Sequence, residues 1–191
     1  MLKTCILIFS TLLITSNALA QWEIVNEEST VNYISIKNIN TGEVNSFKEL
    51  NGSIENGKIS LDIVLGSVET NIPIRNDRMK TMLFEVASFS KANISAIIDT
   101  KTLDKMKVGE TYRDSVGFNL YLHGVSKEIV TDLRVVKLAE NRILAASVSP
   151  IIVNADQYKL SEGVEKLREV ANLPSISTAV PVTFSLVFKK Q

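Results

Sequence analysis

The side chains that could do chemistry in this chain are few. His123 is the only histidine and Cys5 the only cysteine among 191 residues, and Cys5 sits in an N-terminal apolar run that reads as a removable export signal. A processed chain would therefore have neither a cysteine nucleophile nor a thiolate metal centre. A zinc site around His123 would need further His, Cys or carboxylate ligands with partners to orient them, and one imidazole does not supply these. A serine hydrolase of the elbow type needs Gly-x-Ser-x-Gly, which does not occur. His123 lies beside Gly124 on the polar side of a predicted strand, which is the setting of a hydrogen-bonded surface residue. The 21 acidic residues offer many pairs for glycoside hydrolysis, but their spacing singles out none. Arg75 and Arg78 remain, because guanidinium forks suit the oxygens of a carboxylate or phosphate head group. A competing reading pairs Arg75 with Asp77 or uses both to cap a helix.

Chemistry is scarce, but patterned apolar surface is not. Ile59, Leu61, Ile63 and Leu65 alternate with Ser60, Asp62, Val64 and Gly66. Val116, Phe118, Leu120 and Leu122 alternate with Gly117, Asn119, Tyr121 and His123, and Val180 to Phe188 repeat the pattern through Val182, Phe184 and Leu186. Period-two alternation predicts strands with one apolar face. Weaker strands are expected over 29–37 with Val31 and Tyr33 inward, 44–54 around Phe47, 92–100, 127–138 and 143–153, making eight in all. Asn56-Gly57 is a strong two-residue hairpin signal, and Gly124 and Asn141 mark later reversals. Helical spacing replaces alternation twice. Met79, Met82, Leu83 and Val86 recur in 75–86, with Asn76 and Asp77 as caps. Val164, Leu167, Val170 and Ala171 recur in 161–171, with Ser161 as N-cap, a Glu162–Lys166 pair and a stop at Asn172 and Pro174.

Lys3, an apolar run and Ala18-Leu19-Ala20 before Gln21 give 1–20 the layout of a signal peptide. One domain is expected over 21–191. Losing 1–20 removes Lys3 and no acid, leaving 20 Lys plus Arg against 21 Asp plus Glu. That balance argues against a nucleic-acid binder, which needs a basic stripe along the phosphates. No stretch approaches the ~18 apolar residues of a transmembrane helix. The expected location is the periplasm of a Gram-negative host, or outside the cell if the host has no periplasm.

Eight mostly antiparallel, one-sidedly apolar strands must close into a barrel or stack as a sandwich. Strands of nine to eleven residues reach roughly 30 Å, and this length favours a tall, all-β, eight-stranded antiparallel barrel with two short helices. Such an interior is either filled by side chains or holds one small ligand.

Several motifs together, in their order and spacing, resemble the YceI-like family. They are Trp22; Ser29-Thr30-Val31-Asn32-Tyr33; Gly66-Ser67-Val68-Glu69-Thr70; Arg75-Asn76-Asp77-Arg78-Met79 with Leu83-Phe84; Leu120 to Lys127 through His123-Gly124; and Val164-Glu165-Lys166-Leu167-Arg168 with Val180-Pro181-Val182-Thr183-Phe184. The resemblance implies an exported, lipocalin-like barrel enclosing a long amphiphile such as a polyisoprenoid, an isoprenoid quinone or a fatty-acid-like lipid. The chain departs from the family at Lys37, where His is frequent, at Ser90-Lys91, where Pro is frequent, and over 153–158, which lacks a frequent Arg.

An isoprenoid tail has no hydrogen-bonding groups, so its site needs only a dry, continuous apolar lining. The alternating set supplies candidates: Val31, Tyr33, Phe47, Ile59, Leu61 and Ile63 from the first half, and Phe118, Leu120, Leu122, Phe184 and Leu186 from the second. Met79, Met82 and Phe84 would form an adaptable lid over one mouth, with Arg75 and Arg78 as head-group contacts. The reading is a non-enzymatic lipid carrier, store or stress protein that needs no cofactor or metal, with a homodimer left open. The alternatives are a filled barrel acting as an envelope interaction module and a carboxylate-dependent hydrolase.

Overall fold

The computed structural model describes residues 21–191; the signal expected over 1–20 lies outside the described residues. The alternating segments become twelve strands: β1 (Trp22–Ile24), β2 (Thr30–Lys37), β3 (Thr41–Phe47), β4 (Leu50–Glu55), β5 (Lys58–Val64), β6 (Val68–Glu69), β7 (Lys91–Ile97), β8 (Thr111–Leu122), β9 (Val125–Ala139), β10 (Arg142–Ser147), β11 (Ile151–Asn154) and β12 (Ala179–Lys190). Their pairing closes a circle. β12 pairs with β1 and β2, these pair with β4 and β3, and the wall runs on through β5, β7, β8, β9 and β10 back to β12. Every pair is antiparallel, and the result is an eight-staved barrel. Three staves are each made of two strands in line, β1 with β2, β3 with β4, and β10 with β11, while β6 is a short flap on β3.

Each bend has a local cause. The expected strands over 44–54 and 143–153 are not continuous. The first breaks between Phe47 and Leu50. There, Ser67 Oγ accepts the amides of Lys48 and Glu49, and Asn26 Oδ1 accepts the amide of Leu50. The backbone groups freed by the break are thus satisfied by side chains. The second breaks at Pro150, which has no N–H to give a ladder. The Asn56-Gly57 hairpin and the reversal at Gly124 form as expected. Asn56 and Gly57 take φ of 51° and 78°, and His123 and Gly124 take 48° and 77°, the doubly left-handed turn that matches strand twist. At Gly57 a Cβ would also lie 2.4 Å from the Ile98 carbonyl oxygen, so only glycine fits.

The helices differ more from expectation. α1 (Pro73–Arg78) starts on Pro73 with no side-chain cap. Asn76 does not cap it: its Oδ1 accepts from the Thr70 amide and hydroxyl, and its Nδ2 donates to Glu69. α1 runs into a wider π turn over Met79–Leu83, closed by Phe84 N–H to the Met79 carbonyl at 2.9 Å. A short α2 (Lys101–Lys105) had no clear sequence signal. In α3 (Ser161–Val170) Ser161 is the first helical residue rather than its cap, and the Glu162–Lys166 pair forms at 2.7 Å. No helix among the described residues is long and apolar enough to cross a membrane.

Candidate functional site

Because side chains alternate across each strand, one face of every stave points inward, and these faces line an apolar cavity of about 250 Å³. That is just under the ~300–1,000 Å³ usual for small-molecule sites, so the space is narrow. Val31, Tyr33, Phe47, Ile59, Leu61 and Ile63 line it, as do Phe118, Leu120, Leu122, Phe184 and Leu186. Apart from Tyr33, Tyr112 and Thr131 the lining is hydrocarbon or thioether, and it contains no carboxylate.

One end of the barrel is packed shut. Trp22 is 2% exposed and pairs with Ile54 and Lys190 across the closing strands. The Lys137 and Lys190 ammonium groups lie 5.2 and 5.5 Å from its ring centre, within cation–π range. Leu103 of α2, Ile143 and Phe188 are buried at the same end.

The other end is covered by α1, the π turn and α3. Met79, Leu83 and Phe84 reach the cavity from the π turn, and Leu160 and Val164 from the start of α3. Met82 is not among the lining residues. In the widened turn the inward residues after Met79 are Leu83 and Phe84, four and five positions on, where regular helical spacing would give Met82 and Leu83. Gly163 lets α3 sit directly on this turn, because a Cβ there would lie 2.7 Å from the Met82 carbonyl oxygen and 2.8 Å from Leu83 Cα. Phe84 meets Phe47 at 5.8 Å between ring centres, and Phe47 meets Tyr33 at 5.5 Å, so the cover continues into the wall.

Beneath this cover the inward face of β2 and β3 turns from apolar to polar in register. Val31 faces Phe47, Tyr33 faces Asn45, and Ser35 faces Glu43. Glu43 joins wall and cover, accepting from Lys37 Nζ at 2.9 Å and from Arg75 at 2.6 Å, while Arg75 also donates to the Thr70 carbonyl at 2.6 Å. The Lys37 hydrogen bond first, with the Arg75 contact, holds the Glu43 carboxyl below its usual range despite desolvation. Burial pushes the Tyr33 phenol well above the ordinary tyrosine range, only partly offset by the Arg75 charge. Arg75 therefore pairs with Glu43 and not with Asp77, which lies 3.8 Å from Lys80. Arg78, partly buried on α1, makes no ion pair among the described residues. His123 is hydrogen-bonded but largely covered rather than on the surface: Nε2 lies 3.1 Å from Glu85 and the ring packs on Phe89 at 4.3 Å. It braces the β8–β9 turn against the segment after the π turn. No group of three or more His, Cys, Asp or Glu able to hold a metal occurs among the described residues.

A profile for the YceI-like domain matches residues 22–188, nearly the whole described chain. The chain belongs to the YceI-like family. Among solved structures, this YceI-like chain is similar to a polyisoprenoid binding domain from Saccharophagus degradans implicated in plant cell wall breakdown. The two share 37% identity with a TM-score of 0.88, covering 91% of this chain and 99% of that one. Burkholderia cenocepacia BcnA (14% identity, TM-score 0.63, 86% and 98% coverage) and a Campylobacter jejuni YceI protein (15%, 0.56, 77% and 84%) share the fold. No curated protein gives a significant match.

Sequence reasoning put Leu83 and Val164 on apolar helix stripes without assigning them to the cavity, and missed Asn45, Leu103 and Leu160. Asn45 could have been found by continuing the phase of Phe47 backwards, but a polar residue at an inward position carries no apolar signal.

Proposed function

We propose that this protein is an exported, non-enzymatic carrier or store that holds the tail of a long isoprenoid-type amphiphile inside its barrel, for transport, storage or a stress response in the periplasm. The observation that carries the reading is the enclosed lining, which is continuous hydrocarbon from the Trp22 end to the α1–α3 cover. Burial contributes about 0.8 kcal/mol per methylene-sized group, and association costs about 4–15 kcal/mol. One five-carbon unit barely meets the lower figure, and several exceed it. The lining residues offer the tail no polar group to satisfy beyond two phenols and one threonine. A hydrolase using paired carboxylates is disfavoured because no acid is among the residues that line the cavity, and Glu43 above them is tied to Lys37 and Arg75. The narrow bore suits a single thread better than a bulky ring system. The polyisoprenoid-binding relative supports the same class of ligand.

Solvent extraction of the purified processed protein followed by mass spectrometry tests the reading. A stoichiometric long-chain isoprenoid or similar amphiphile is expected. Extracts without lipid, together with no uptake of a C20 isoprenoid hydrocarbon by the emptied protein, would overturn it.

A further inference from the structure

Among the described residues four buried side-chain polar atoms have no hydrogen-bond partner in the protein, and three of them gather at the covered end of the barrel: Tyr33 Oη, Asn45 Oδ1 and Arg75 Nε. Such atoms each cost about 1–3 kcal/mol when left unmade, so they are normally rare and scattered. Here they share one place. Tyr33 and Asn45 are directly opposed across β2 and β3, 8% and 4% exposed, and Arg75 is held beside them through Glu43, two residues from Asn45 on the same face of β3. The rest of each group is already committed. Asn45 Nδ2 donates to Ser35 and to the Glu43 carbonyl, and the terminal nitrogens of Arg75 donate to Glu43 and Thr70.

We infer that Tyr33, Asn45 and Arg75 form a head-group subsite for a neutral terminal hydroxyl, not for a phosphate. The argument is one of valence. The free positions are one N–H donor, one carbonyl acceptor and one phenol that can do either. A hydroxyl both donates and accepts, so it can satisfy Asn45 Oδ1 while accepting from Arg75 or Tyr33. A phosphate only accepts, and would set an anion against the Asn45 oxygen. The positive charge that might compensate is already engaged, since Glu43 takes one oxygen to Lys37 and the other to Arg75. The Tyr33 phenol is protonated at neutral pH, as tyrosines ordinarily are, so it can donate. Tyr33 also lines the apolar cavity, which places the subsite where a tail rising through the barrel would end.

This inference rests on the tail-binding reading, and the test separates the two. Emptied, processed protein is titrated with three C20 isoprenoid probes sharing one tail: geranylgeraniol, geranylgeranyl monophosphate and the corresponding hydrocarbon without a hydroxyl. The alcohol is expected to bind roughly tenfold tighter than the hydrocarbon, the scale of one or two buried hydrogen bonds, and tighter than the phosphate. Tyr33→Phe, which keeps the ring, and Asn45→Leu are each expected to reduce the alcohol's advantage over the hydrocarbon, both measured on the same variant, to roughly a few-fold or less. Equal binding of alcohol and hydrocarbon, tighter binding of the phosphate, or an alcohol preference intact in both variants overturns the subsite and leaves tail binding standing. Failure of all three probes to bind overturns both.

Discussion

The two ends of the barrel are built from the same strands but by opposite rules. At the Trp22 end a buried aromatic ring lies beneath two ammonium groups, and Leu103, Ile143 and Phe188, which also line the cavity, are buried around its floor. At the α1–α3 end the bore runs up to a π turn, a helix seated through one glycine, and polar atoms without protein partners. Close packing and satisfied groups are what a fold needs from a permanent seal. A widened helical turn and unpaired polar atoms are costs, and proteins tend to keep them where something binds. Under the proposed reading, the sealed end is structural and the covered end receives the head group.

The largest expected effect breaks this contrast from the sealed side. Trp22→Ala removes the buried ring and should cost about 3–5 kcal/mol of stability, read by denaturant unfolding. The fraction that still folds should retain hydrocarbon binding, because the cavity lining does not include Trp22. A loss of affinity larger than the loss of folded protein would make Trp22 part of the site. Gly163→Ala works on the opposite side. Its methyl would be driven against the Met82 carbonyl and Leu83, costing about 1–3 kcal/mol as overpacking does. It should also lift α3 from the π turn, raising the release rate of a bound C20 hydrocarbon more than it lowers stability.

Leu61→Phe sharpens the comparison midway along the bore. Leu61 is buried and lines the cavity. A larger ring there has open space to enter, so stability should change by under about 1 kcal/mol, against the ~1–3 kcal/mol expected in a filled core. Affinity for the C20 hydrocarbon should fall roughly tenfold, about 1.4 kcal/mol. An unchanged affinity would remove Leu61 from the functional lining.

The wall was legible in the sequence because alternation reports burial directly. The eight expected strands are the eight staves, and their inward phases match at Val31, Leu61, Phe118 and Phe184. What was hidden depends on tertiary contact. β1 is too short to alternate and exists because it bridges β4 and β12. Met82 and Leu83 are equally apolar, and only the π turn decides between them. Arg75 showed that it could bind an anion, but nothing in its neighbourhood along the chain pointed to Glu43, 32 residues away, as the partner. Asn45 looked like an ordinary polar residue until the register placed it opposite Tyr33.

The smallest effect concerns how the cover is fastened. Glu43 links the wall to α1 through Arg75, and its folded pKa lies below the ordinary value of 4.5. A lowered carboxylate contributes stability that is full above the unfolded value and is lost as pH falls through the folded one. Acidification below about 4.5 should therefore loosen the cover progressively and speed release of a bound C20 hydrocarbon. Glu43→Gln should raise release at neutral pH by no more than a few-fold, as expected for a partly exposed pair worth about 0.2–1 kcal/mol, and should flatten the acid limb. Asp62 is the control. Its carboxyl is also held low, by hydrogen bonds from Lys91 and Asn93 that outweigh desolvation, but it fastens β5 to β7 within the wall. Asp62→Asn should lower stability at neutral pH and lessen its loss in acid, without changing how release depends on pH. If both variants shift release equally, acid acts on the barrel as a whole and Glu43 is not the fastening of its cover.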